Sequence, residues 1–350
     1  MVREFDLFRE LTETSGAPGY EDRIRTVVRR EFEGVVDVVR TDAMGNVVGT
    51  VEGRRDPEYE VAVAAHMDEI GFMVRHVTDD GFLQVDPLGG WDPRVLRAQR
   101  VTVHAADGDR PGVIGSPPPH TLDEEDLEAE DAVEDVYIDM GIDPAAVTDQ
   151  VATGDLVTVD QRTERVGSTI TGKAIDNRVS LYAMLQAAKM VDPAVTVHFA
   201  ATVQEEVGLR GARALGVDLD PDLAIAVDTT VANDVPQVGD EADYVTELGE
   251  GAAIKLKDSS VITNPKVHRR LRRIAETEEL PYQIEVLPSG GTDTGGFQQS
   301  AGAKPVGAIS VPTRYLHTPT EVVVETDVTA VVDLLAAFLD AEDGENDYTL

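Results

Sequence analysis

The chain has 350 residues, 42% of them hydrophobic, enough for a sizeable core and for two domains. Acids outnumber bases 66 to 30, for a formal net charge of −36, and there is no cysteine. No basic stripe exists to bind nucleic acid, and without thiols any metal has to sit on His, Asp and Glu.

The acids are spread along the chain, and only six of the 30 bases are Lys. That pattern resembles proteins of salt-accumulating halophiles. In molar salt the Debye length shrinks to about 3 Å, which screens self-repulsion. No apolar run approaches the ~18 residues of a membrane span. The N-terminus is charged throughout and is not a signal peptide. A cytoplasmic protein with no membrane partner is expected.

Residues 2–13 carry Phe5, Leu7, Phe8 and Leu11 at three- and four-residue spacings, which predicts a short amphipathic helix. A turn leads to a second helix over about 21–33, with Ile24, Val27, Val28 and Phe32 on one face. Strands are expected at 35–39 and 47–51, then a continuous apolar run at 59–66 that leads into His66 and Asp68. Such a run is the mark of a strand covered on both faces. From 75 to 160 short β-like runs alternate with turns, around an acid-dense stretch at 122–135 read as a solvated loop.

From 172 an α/β pattern resumes. A helix is expected over 179–190, a buried strand leading to Glu205 and Glu206, and another at 223–230 carrying Asp228. A Gly/Asp-rich loop precedes a helix at 264–279, a strand at 282–287 and a glycine-rich segment at 288–296. A strand at 305–310 is followed by a loop with His317, then a last helix at 326–339 and an acidic tail expected to be mobile. This organisation predicts an α/β fold. A mixed central sheet flanked by helices occupies residues 1–73 and 166–350, interrupted by a β-rich insertion at 74–165.

His66, Asp68, Asp176, Glu205, Glu206, Asp228 and His317 fall at strand ends or in nearby loops. In open α/β sheets ligands bind beyond the carboxyl ends of strands. Two His and several carboxylates fit a pair of zinc or cobalt ions, a known device for hydrolysis. Adjacent side chains on an extended segment point different ways. Glu205 and Glu206 can therefore serve one site in two roles, or one can face solvent, and residue type leaves this open. Asp176 could instead cap the helix that follows it. His76, His104, His198 and His268 read as structural.

Six stretches resemble, in order and approximate spacing, the motifs of the M42 family of dinuclear-metal aminopeptidases, which includes the archaeal tetrahedral TET peptidases. They are Ala65-His-Met-Asp-Glu-Ile-Gly71, Lys173-Ala-Ile-Asp-Asn-Arg178, Gln204-Glu-Glu-Val-Gly208, Val227-Asp-Thr229, Gly290-Gly-Thr-Asp293 and Tyr315-Leu-His317. A further stretch, Gly112-Val-Ile-Gly-Ser-Pro-Pro-Pro-His120, makes His120 a candidate contact near the site or an interface. The resemblance implies that Asp176 bridges two metals. His66 and Asp228 would complete one, and Glu206 and His317 the other. Glu205 would be the general base. Asp68 would orient the His66 ring, which two-residue spacing on one strand face permits.

The resemblance also implies two divalent ions per subunit, Zn2+ or Co2+, and a metallo-aminopeptidase acting on short peptides. The expected preference is broad, favouring large neutral N-terminal residues such as Leu, with the segment around Thr292 lining the pocket. A homo-oligomer is implied, a hollow dodecameric tetrahedron assembled through the insertion. The rival readings are a dizinc deacylase or carboxypeptidase-like hydrolase on the same fold, and a non-catalytic oligomeric binding protein.

Overall fold

The computed structural model describes residues 2–123, 132–238 and 243–350. Most of the acid-dense stretch at 122–135 lies outside the described residues.

The chain opens with helices Phe5–Glu13 and Asp22–Phe32 and strands β1 (Val38–Thr41), β2 (Val47–Val51) and β3 (Asp56–His66). Strands β4 (Gly71–Val77), β5 (Phe82–Leu88), β6 (Arg100–Ala105), β7 (Gly108–Ile114), β8 (Tyr137–Asp139) and β9 (Leu156–Val159) then close into a barrel in the order β4-β5-β8-β7-β6-β9. Alternate side chains fill it: Phe72 and Val74, Leu83 and Val85, and Val101 and Val103 are buried together. That is the period-two pattern of a sheet with one wet face.

Strands β10 (Glu164–Val166) and β11 (Thr169–Gly172) lead to helix Ile175–Ala188, β12 (Val195–Thr202), helix Arg210–Leu219 and β13 (Leu223–Val231). After β14 (Ala252–Lys257) come helix Pro265–Thr277, β15 (Tyr282–Val286), helix Asp293–Gln298, β16 (Val306–Thr313), β17 (Glu321–Val324) and helix Glu325–Ala341.

Among the described residues eight strands make one mixed sheet, ordered β1-β2-β12-β3-β13-β16-β14-β15. Its centre, β12, β3, β13 and β16, is parallel. These strands are buried on both faces because helices cover both. On one face Ile175–Ala188 and Glu325–Ala341 join the main apolar cluster. On the other, Ala212, Leu215 and Phe297 pack on Ala62, Ala64, Ala200 and Ala224. The small alanines let those short helices approach closely. Truncating the fully buried Phe297 to Ala would cost about 3–5 kcal/mol.

This is the expected α/β architecture, with local differences. The first strand begins at Val38, because 35–37 form a turn off the preceding helix. Strand β14 occupies a stretch expected to be a Gly/Asp-rich loop, and helix Arg210–Leu219 a stretch with no predicted element. The acidic tail is docked: Tyr348 is buried, its hydroxyl donates to Glu342 (2.5 Å) and its carbonyl accepts from the Asn264 side chain (2.8 Å). Asn264 also caps helix Pro265–Thr277 by accepting from the amides of Lys266 and Val267. No helix among the described residues is long and apolar enough to cross a membrane.

Candidate metal centre

The parallel strands deliver their carboxyl ends to one edge of the sheet. His66 is the last residue of β3 and pairs in register with Thr202, the last of β12. Beyond Thr202 the chain turns through left-handed Gln204 (φ 54°) and presents Glu205 and Glu206. Asp228 lies in β13 opposite Ser310 of β16, and His317 follows β16. Asp176 stands at the start of helix Ile175–Ala188, behind a cis Asp176–Asn177 peptide. The N-cap position of that helix is Ala174, which has no side-chain capping bond.

These residues converge around Asp176. Its Oδ1 lies 3.4 Å from Nε2 of His66, whose Nε2 is 3.7 Å from Asp228. Its Oδ2 lies 3.5 Å from Nε2 of His317, whose Nε2 is 3.6 Å from Glu206. Two groups result among the described residues, His66–Asp176–Asp228 and Asp176–Glu206–His317. In each, the candidate ligand atoms lie within 4.8 Å of one another. Glu205 reaches to 3.8 Å from His66 Nε2 but belongs to neither group.

Both rings are turned the same way. Nδ1 of His66 lies 3.2 Å from the Asp68 carbonyl, and Nδ1 of His317 lies 2.6 Å from the Gly90 carbonyl. A proton on each Nδ1 satisfies those carbonyls and leaves each Nε2 lone pair facing the carboxylates.

Asp68 sits differently from the sequence expectation. Strand β3 ends at His66, so the two residues share no strand face. The Asp68 carboxylate is 3.4 Å from the ring but accepts from the amides of Glu205 (3.0 Å) and Glu206 (3.1 Å). It ties the turn carrying both glutamates to the strand carrying His66.

Burial raises the carboxyls here, and their mutual repulsion adds to it. Glu206 reaches about 7, while Glu205 and Asp228 lie well above their ordinary values. Burial disfavours a charged imidazole, yet the carboxylates outweigh it: His66 is raised well above its ordinary value and His317 to about 10. Burial also works against ionised Asp176, but the two rings prevail and hold it below the carboxylate range. Such a pocket is short of positive charge. The buried Oδ1 of Asp176 has no hydrogen-bond partner. Two imidazoles facing grouped carboxylates, together with this orphaned oxygen, fit divalent cations.

Glu321 lies outside the motif stretches, and Asp293, Glu69, Lys173 and Arg178 lie within them without a role assigned from sequence. Buried Glu321 accepts from the amides of Asp176 (3.0 Å) and His317 (2.9 Å), holding the backbones of two candidate ligands. Its signal was an acid four residues after His317. Buried Asp293 accepts from Thr202 Oγ1. Behind the site, Glu69 pairs with Lys173 (2.6 Å) and stands 3.9 Å from fully buried Arg178. His198 bonds Thr50, and His104 bonds Asp109 and Thr158, as structural histidines do. His120 is exposed and does not line the cleft.

A cleft of about 670 Å³ opens over the ligands. Its walls include Trp91, Leu209, Val231, Leu287 and Leu316, and the segment 289–292.

Residues 45–334 match the family model described as M42 glutamyl aminopeptidase. The structure is similar to that of an aminopeptidase from the archaeon Desulfurococcus kamchatkensis, with 38% identity, a TM-score of 0.91, and 96% of this chain and 94% of that one covered. It is similar also to the Pyrococcus horikoshii TET1 peptidase, which can assemble into a tetrahedron or a large octahedral shell (31% identity, TM-score 0.86, 97% and 99% covered). A lysyl aminopeptidase of Pyrococcus furiosus is 33% identical over 344 residues, covering 96% of this chain and 97% of the relative. Fold and family model agree, and the chain belongs to the M42 family of aminopeptidases, enzymes that hydrolyse peptide bonds.

Proposed function

We propose that the protein is a two-metal aminopeptidase that removes N-terminal residues from short peptides. The observation that carries this is Asp176, whose two oxygens each face a different His–carboxylate pair. His66 and Asp228 would hold one cation and Glu206 and His317 the other, with Asp176 shared; Zn2+ or Co2+ suits the donor set. When bound, the cations would supply an acidified water and polarise the scissile carbonyl.

Glu205 is the general base. It sits beside the ligands but outside both groups, so its carboxylate is free to exchange a proton. It takes the proton from the attacking water and returns it to the departing amine. Asp68 fixes the Glu205 and Glu206 amides and thereby orients this step. The apolar walls of the cleft support a preference for large neutral N-terminal residues such as Leu. The walls of the cleft contain no Lys or Arg among the described residues, so a glutamyl side chain would find no cationic partner there.

The chain divides into a catalytic part, 1–73 and 166–350, and an assembly part, 74–165, in this reading. Exposed Phe82, Val113 and Tyr137 on adjoining barrel strands, with Ile142 beyond them, support contact between copies, and a dodecamer is the proposed state. Glu205→Gln tests the chemistry. It should keep its metal content and lose leucyl-p-nitroanilide turnover by about 10²- to 10⁴-fold. Unchanged turnover would refute the assigned base, and equal cleavage of an N-acetylated substrate would refute the aminopeptidase reading.

A further inference from the structure

A second charged cluster lies buried in the main sheet, away from the candidate ligands. Lys255 of β14 and Glu285 of β15 are register partners, and the lysine ammonium is hydrogen-bonded to the glutamate with both side chains fully buried. Asp258, three residues on, is equally buried, with Oδ2 3.7 Å from the Lys255 ammonium. Its Oδ1 accepts from the amides of Ser260 (2.7 Å) and Val261 (2.9 Å), which shapes a tight turn.

That turn is joined to the cleft wall. Ser259 donates to the Gly290 carbonyl through its amide (3.1 Å) and through its hydroxyl. Thr292 Oγ1 is 3.4 Å from Asp258 Oδ2, and a Cβ on Gly291 would stand 3.1 Å from Ser260. Residues 289–292 form part of the cleft lining.

A buried ion pair is a weak device for stability, because desolvation offsets most of its attraction. A well-packed apolar pair would serve the sheet as well. The charges add direction: Asp258 must stay within reach of the ammonium, and its turn then sets where the Gly290 backbone lies. Gly290 (φ +97°) and Gly291 have no side chains with which to wedge the wall in place.

We propose that Lys255, with Glu285 and Asp258, is a positioning unit for the cleft wall at 289–292. It sets substrate affinity without touching substrate or metal. Asp293, next in the chain, is anchored separately by Thr202, so the influence ends at the wall. The kinetic arm of the test rests on the aminopeptidase reading.

The test compares wild type with the apolar replacement Lys255→Met/Glu285→Leu and with Ser259→Ala, an exposed position outside the cleft lining. The double variant should raise KM for leucyl-p-nitroanilide about tenfold, and Ser259→Ala about threefold, with kcat within about twofold of wild type. Zinc affinity should not change. Hydrogen–deuterium exchange should quicken in peptides covering 288–292 and nowhere else near the metal ligands. If the double variant fails to fold, Ser259→Ala decides through both readouts. Wild-type KM together with wild-type exchange at 288–292 overturns the proposal. A wild-type enzyme that cleaves no aminoacyl anilide sinks the aminopeptidase reading instead, and exchange still judges the wall.

Discussion

Nδ1 of His317 lies 2.6 Å from the carbonyl oxygen of Gly90, a contact that spans 227 positions of sequence. Gly90 belongs to the connection after barrel strand β5, so the barrel fixes the ring of a candidate ligand from the main sheet. A Cβ on Gly90 would sit 3.2 Å from that same nitrogen. Gly90→Ala should push the ring aside and weaken one of the two proposed metal sites by about 10- to 100-fold. Zinc titration should show one tight and one weakened site; two sites of wild-type affinity would show that the ring does not depend on Gly90.

Asp68 makes a sharper test of how the two glutamates are held. Asp68→Ala removes both acceptors of the Glu205 and Glu206 amides while leaving every proposed ligand in place. Turnover should fall by about 100-fold, with KM changed much less. A loss confined to KM would mean that Asp68 shapes the cleft rather than the catalytic turn.

Asp327 supplies a pH signature away from the metal centre. It lies buried in the first turn of helix Glu325–Ala341 and accepts from the amides of Gly249 (2.7 Å) and Gly251 (3.0 Å). Burial nevertheless raises it to about 6, against about 3.9 in an unfolded chain. A raised acid contributes its full stability below the unfolded value and loses it as pH rises through the folded one. Asp327→Asn cannot ionise. Its stability relative to wild type should therefore climb by roughly 2 kcal/mol between about pH 4 and pH 7. Paired thermal melts give this difference directly, and a flat difference would place the Asp327 carboxyl near its ordinary value.

The net charge of −36 predicts a salt requirement. Moving the protein from about 2 M KCl to about 50 mM lengthens the Debye length several-fold and restores self-repulsion. Melting temperature should drop and any assembly should come apart on sizing. An intact, active particle in dilute buffer would remove the halophilic reading.

The central strands were legible because strands buried on both faces read as unbroken apolar runs, and His66 and Asp228 stood out where those runs met charge. Strand β14 was not, because buried Lys255 and exposed-looking Lys257 interrupt its run. Helix Arg210–Leu219 was missed because its buried face is made of Gly211, Ala212 and Gly216 beside a single Leu215. At the site, side chains with metal chemistry announced themselves. The Gly90 carbonyl could not, since a backbone acceptor carries no residue signature. The partners of Asp68 were hidden for the same reason, being amides whose position only the closed turn defines.

The docked C-terminus changes what the last residues of the chain mean. Tyr348 fills a hollow against the cap of helix Pro265–Thr277, held there by Asn264 and Glu342. A chain cut after Ala341 would lack that plug. The segment after Ala341 thus braces the helix cap it covers: Tyr348→Ala should lower the melting temperature by removing a buried ring and its hydroxyl's bond to Glu342.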